Sequence, residues 1–147
     1  MGKKAPRIKP NRRVCVVIAD DLPEMLDAIE NQLKAHCQVV ARAADGVELV
    51  DYVRKHKPEL LITDISMPRT TGIDALRRLR SMGIKTPAVI VTVHEDEELV
   101  RAGLEQGALG FVLKSRLAEE LLFAVQAALK GKVFVSERLK KTGPVTD

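Results

Sequence analysis

From residue 13 to residue 131, short and almost continuous apolar runs alternate with segments whose apolar residues recur every three or four positions. The runs are RVCVVIA (13–19), QVVARAA (38–44), ELLIT (59–63), PAVIVT (87–92) and LGFVLK (109–114). Their Val, Ile and Leu content is that of strands covered on both faces. Between them lie amphipathic stripes at helical spacing. Leu22, Met25, Leu26, Ile29 and Leu33 form the first. Val47, Val50 and Val53 form the second, opened by Asp45 with Glu48 three residues on, the arrangement of a helix cap. Ile73, Leu76 and Leu79 follow Gly72, and Leu99, Val100, Gly103 and Leu104 make a fourth, short stripe. Leu117, Leu121, Leu122, Val125 and Leu129 make the fifth, with Ser115 expected as its N-cap and Gly131 as its stop. Strands alternating with helices predict an α/β fold built on a mostly parallel sheet. There is no internal repeat and no low-complexity segment. The expected organisation is a leader over 1–12, one domain over 13–131 and a short tail or linker stub over 132–147.

In such a sheet, ligands bind beyond the carboxyl ends of the strands, near the point where strand order reverses. The strand ends carry a consistent set of polar groups. The first runs into Asp20 and Asp21, the third delivers Asp64, the fourth ends in Thr92 and the fifth in Lys114. Each alone is commonplace: an Asp after a strand is usually a helix cap, a Lys usually solvated. As a set they point to one site. Carboxylates gathered together repel and need a compensating cation. Mg²⁺ fits, because it takes oxygen ligands in octahedral geometry, and Lys114 adds a fixed positive charge. That combination suits a phosphoryl group whose oxygens are neutralised while a carboxylate attacks phosphorus.

These residues resemble the receiver domain of two-component response regulators. An acidic pair follows the first strand (Asp20-Asp21), and a D-x-x-M-P-x-x-x-G pattern follows the third (DISMPRTTG, Asp64 to Gly72). A Thr ends the fourth strand (Thr92), and an aromatic stands three residues before a Lys on the fifth (Phe111 and Lys114). The match covers about residues 13–131 in the right order. The resemblance implies a flavodoxin-like, three-layer, doubly wound sheet of five parallel strands in the order 2-1-3-4-5. It implies Asp64 as phosphoacceptor, with Mg²⁺ held by Asp21, Asp64 and the backbone carbonyl of Ser66, and by Asp20 partly through a water. Thr92 and Lys114 would bind the phosphoryl group, with Phe111 as a switch residue. Phe111 also reads as ordinary core packing. Ser66 and His94 stand where family members tune dephosphorylation, although a loop histidine without a role is the plainer reading of His94.

The implied donor is a sensor histidine kinase or phosphotransfer protein, and the implied output a change in protein–protein contacts, homodimerisation among them. The chain would catalyse only its own aspartyl phosphorylation and dephosphorylation. Residues 107–139 look like receivers of the NarL/LuxR type, which normally carry a DNA-binding helix-turn-helix. That motif is absent from this sequence, so the alternative is a receiver fragment of a transcriptional regulator, and nucleic-acid binding is not credited to the domain itself. Two departures stand out. Ser115 replaces the Pro common after the Lys, and Val93 is bulkier than the residue usual after Thr92. A phosphatase with an aspartyl-phosphate intermediate would place its second acid two residues after the first. Here the acids are adjacent, with Leu22 and Pro23 following.

Charge refines this picture only slightly. The 147 residues carry a formal +4, but residues 1–13 hold six cations and no acid, and the remainder has 18 basic against 20 acidic groups. The basic character therefore belongs to the leader, which reads as a solvated terminus before a nucleic-acid arm. Aromatics make up 3% with no Trp, which leaves little for base stacking. No apolar run approaches a membrane span, and a cytoplasmic location is expected. Cys15 and Cys37 read as buried thiols rather than a disulfide. The histidines (His36, His56, His94) are scattered, so no Cys/His metal cluster is expected.

Overall fold

A computed structural model describes residues 13–140; the basic leader of residues 1–12 and the last seven residues lie outside the described part. The chain alternates β1 (Val14–Ala19), α1 (Pro23–Leu33), β2 (Cys37–Ala43), α2 (Gly46–His56), β3 (Leu60–Thr63), α3 (Gly72–Ser81), β4 (Ala88–Thr92), α4 (Glu97–Glu105), β5 (Ala108–Leu113) and α5 (Leu117–Leu129). The strands pair in parallel in the order β2-β1-β3-β4-β5, as the resemblance implied. The order reverses between β1 and β3, and the acids lie beyond the ends of those two strands.

Alternation along each strand divides the core in two. In β3, Leu61 points to the layer of α2, α3 and α4, where it joins Leu49, Leu76 and Val100. Leu60 and Ile62 point to the layer of α1 and α5, with Ile29 and Leu121. All four residues of β3 are fully buried. Burying each of these Leu and Ile side chains contributes about 1.5–3 kcal/mol, so the position at which β3 ends is set by the core. β2 is an edge strand and is buried only at its two ends.

Local signals explain several boundaries. Asp45 caps α2 by accepting from the Glu48 amide at 2.8 Å, while Glu48 reaches back to the Ala44 amide at 2.8 Å. Thr71 caps α3 through the Asp74 amide at 3.1 Å. Gly131, with φ of 74°, ends α5, and the Lys132 amide returns to the Ala127 carbonyl at 2.8 Å.

Two expectations need correction. Ser115 does not cap α5: residues 114–116 form a 3-10 turn, and Arg116 precedes the helix without a side-chain cap. The turn swings the chain directly off β5, so Ser115 is already inside helical backbone when α5 begins. The sheet also has a sixth strand. β6 (Phe134–Val135) pairs in parallel with β5, and α6 (Glu137–Lys140) follows, both within the segment expected as a tail. The Ser136 amide donates to the Phe111 carbonyl at 2.8 Å, and Leu139 is fully buried in the same cluster as Phe111. Among the described residues no helix is long and apolar enough to cross a membrane.

Candidate acidic site at the strand ends

Asp20 follows β1 and is tied to both neighbouring elements. Its amide donates to the Ala43 carbonyl at the end of β2 at 3.0 Å, and its Oδ1 accepts from the Leu22 amide at 2.9 Å. The residue is fully buried, whereas Asp21 beside it is exposed. Asp64 follows β3. Its amide donates to the Ala19 carbonyl at 3.1 Å, and its Oδ1 accepts from the Ile65 amide at 2.7 Å. Lys114, the first residue beyond β5, donates to Asp64 Oδ2 at 2.8 Å. Strands far apart in sequence thus deliver their terminal side chains to one place.

The same ammonium lies 2.9 Å from Asp20 Oδ2 and pairs with it, and this buried oxygen has no further hydrogen-bond partner among the described residues. Burial alone would make the Lys114 ammonium easier to deprotonate; the hydrogen bonds and charges of Asp64 and Asp20 outweigh that and push its pKa above the ordinary lysine value.

One oxygen from each of Asp20, Asp21 and Asp64 lies within 4.8 Å of the others. Around a Mg²⁺ at the usual bond length, opposite oxygens stand about 4.2 Å apart and adjacent ones about 3 Å, so the three carboxylates draw together to share one ion. The donors are all oxygen, as a hard cation requires. Asp20 Oδ2, buried with the Lys114 ammonium as its one partner among the described residues, has acceptor capacity left for a cation here. The residues fit Mg²⁺.

The remaining expected residues lie on β4, on β5 and in the loops that follow β3 and β4. Thr92 is buried at the end of β4, and its Oγ1 accepts from the His94 amide at 3.0 Å. Val93 is 65% exposed. Ser66 Oγ meets His94 Nε2 at 2.8 Å, joining the loop after β3 to the loop after β4. Phe111 is wholly buried, its ring against Gly103 and near Ile90. Cys15 and Cys37 are free, and burial pushes the Cys37 thiol up to about 11.

Some local features carried no usable signal. Arg69, in the loop after β3, has a left-handed backbone (φ 67°) and pairs with Asp45 at 2.9 Å. Gly72 permits a close approach: a Cβ there would stand 2.0 Å from the Asp64 carbonyl oxygen. Of the Asp45–Arg69 pair the sequence shows only the helix cap, and the place of Gly72 in the DISMPRTTG pattern does not reveal this close approach.

A family model described as the response regulator receiver domain matches residues 16–126. The oxygen regulatory protein NreC of Staphylococcus haemolyticus is 37% identical over 127 residues, covering 84% of this chain and 58% of its own length. The chain thus spans a little over half of that relative. The signal receiver domain of a response regulator named NarL from Mycobacterium tuberculosis superposes with a TM-score of 0.78 at 29% identity, over 82% of this chain and 99% of that one. A LuxR-family two-component response regulator from Aurantimonas sp. SI85-9A1 superposes with a TM-score of 0.84 at 27% identity, over 89% and 95%.

Proposed function

The chain belongs to the response regulator receiver family, in its NarL/LuxR-type branch, and on that premise we propose that it accepts a phosphoryl group on Asp64 in a Mg²⁺-dependent reaction. A receiver is not an enzyme in the ordinary sense, because the acceptor is its own side chain. The observation that carries the reading is the placement of Asp64. It stands at the end of a fully buried strand, 2.8 Å from Lys114 and within 4.8 Å of Asp20 and Asp21.

Asp20, Asp21, Asp64 and the Ser66 carbonyl would hold the Mg²⁺. Its chemistry there is to neutralise charge on the carboxylates and on the incoming phosphoryl oxygens. An Asp64 oxygen attacks phosphorus in line with the departing imidazole of a phosphohistidine donor. The O–P bond forms as the P–N bond breaks, and the product is an acyl phosphate. Lys114, now on Asp64 Oδ2, transfers its hydrogen bond to a phosphoryl oxygen. Thr92 accepts a hydrogen bond from the His94 amide, which leaves its own hydroxyl proton free to donate to another. Phe111, beside Ile90 and packed against Gly103 of α4, relays that movement to the face of α4, β5 and α5. Ser66 and His94 close the pocket rim and set how readily water reaches the acyl phosphate.

The donor is a sensor histidine kinase or phosphotransfer protein. The output is a change in protein–protein contacts in the cytoplasm, with homodimerisation as one form, and no nucleic acid is bound by this domain. Incubation with Mg²⁺ and acetyl phosphate followed by intact-mass measurement tests the reading. One added phosphoryl group is expected for the wild type and none for Asp64→Asn; equal labelling of both would remove Asp64 from the centre.

A further inference from the structure

We propose that Arg69, clamped by Asp45, is a positioning residue that holds the loop between β3 and α3 in the shape that presents the Ser66 carbonyl to the cation. The proposal deepens the Mg²⁺ reading and rests on it.

The loop is pinned at its base, where the Gly72 amide donates to the Ile65 carbonyl at 2.9 Å. At its apex the Thr70 amide donates to the Pro68 carbonyl at 2.7 Å, a tight three-residue turn centred on Arg69. Arg69 has a φ of 67°, a region that a side chain with a Cβ occupies at a cost. Nothing local favours an arginine there, so the conformation is imposed from outside. The outside element is the start of α2. Arg69 Nε donates to Asp45 Oδ2 at 3.0 Å, and Nη2 forms an ion pair with the same oxygen at 2.9 Å. Asp45 Oδ1 is already committed to the Glu48 amide as the helix cap. One carboxylate therefore divides its oxygens between a rigid helix end and the loop. Gly46, the next residue, lets the backbones close up: a Cβ there would stand 2.2 Å from the Thr70 carbonyl oxygen. The loop is thus seated on scaffold.

The clamp is worth little to global stability. The Arg69 side chain is 57% exposed, and exposed pairs contribute modestly. Its effect is on geometry, because the loop it bends carries Ser66 between the candidate acceptor and the turn. Groups that orient a ligand from outside the metal shell typically change metal affinity ten-fold or more.

The test is a Mg²⁺ titration followed by backbone amide NMR shifts, with melting temperatures recorded on the same proteins. Arg69→Ala is expected to weaken Mg²⁺ binding by roughly ten-fold with little change in melting temperature. Arg69→Gly relieves the backbone cost but removes the clamp, and should weaken binding similarly; Arg69→Lys should recover part of it. Asp45→Ser keeps a helix cap and loses the ion pair, so it should match Arg69→Ala, and the double variant should lose no more than either single one. Unchanged Mg²⁺ affinity in Arg69→Ala overturns the role of Arg69, as does a loss that tracks a fall in melting temperature. A wild-type protein that binds no Mg²⁺ would instead remove the cation site, and this role with it.

Discussion

Phe111 fills the space left open by the missing side chain of Gly103: a Cβ on that α4 residue would stand 2.4 Å from the ring Cζ. The ring is fully buried, so it yields to an added methyl group only by displacing its packed neighbours. Gly103→Ala should therefore destabilise the domain by about 1–3 kcal/mol through overpacking, despite the better helix propensity of Ala. Urea unfolding monitored by circular dichroism measures this. A neutral or stabilising outcome would mean that the ring moves freely.

Lys114 is the one described cation in contact with the acidic cluster, touching Asp64 and Asp20. Lys114→Met should cost about 1–3 kcal/mol without metal, less than for a fully enclosed pair because the Lys114 side chain is partly exposed. Saturating Mg²⁺ should then restore more stability to the variant than it adds to the wild type, by mass action on the folded state. Thermal melts with and without Mg²⁺ decide this, and an equal Mg²⁺ increment in both proteins would contradict it.

Much of this was legible in the sequence. LLIT (60–63) announced a central strand because both faces of β3 are buried, so no polar residue interrupts the run. Asp45 and Glu48 announced α2 because a cap is a local interaction. The site was readable as a set of strand-terminal groups because parallel strands end on one side. β6 was not readable: two residues join the sheet only because the edge of β5 is there to receive them. Ser115 misled because cap chemistry and a 3-10 turn draw on the same residue types. The left-handed Arg69 is held by Asp45, 24 residues away, and no local pattern encodes that.

Alkaline pH should weaken the fold in a defined window. Burial, reinforced by Glu59 and partly offset by Arg13, raises the Cys37 thiol from 9.0 to about 11. Lys114 is likewise raised above 10.5, its two carboxylate partners outweighing burial. A raised folded-state pKa gives stability that is complete below the unfolded value and lost as pH climbs through the folded one. Urea midpoints should hold up to about pH 9 and then decline, and Cys37→Ala should flatten the earlier part of the decline. A stability rising over that range would contradict the assignment.

Ser66 and His94 join the loops after β3 and β4 at 2.8 Å. A neutral hydrogen bond contributes ~1 kcal/mol, equivalent to roughly five-fold in a rate it controls. His94→Ala and Ser66→Ala should each shorten the lifetime of the phosphorylated protein by about that factor, and the double variant should match the singles. Decay followed by intact mass after removal of acetyl phosphate reads this directly. Additive effects would show that the two side chains act separately.

The most direct measurement of the central claim locates the modification. The protein is phosphorylated with acetyl phosphate and Mg²⁺, reduced with borohydride to convert an aspartyl phosphate to homoserine, digested, and sequenced by tandem mass spectrometry. Homoserine at position 64, and at neither 20 nor 21, is the predicted result. Homoserine at position 20 or 21 with position 64 unmodified would contradict it.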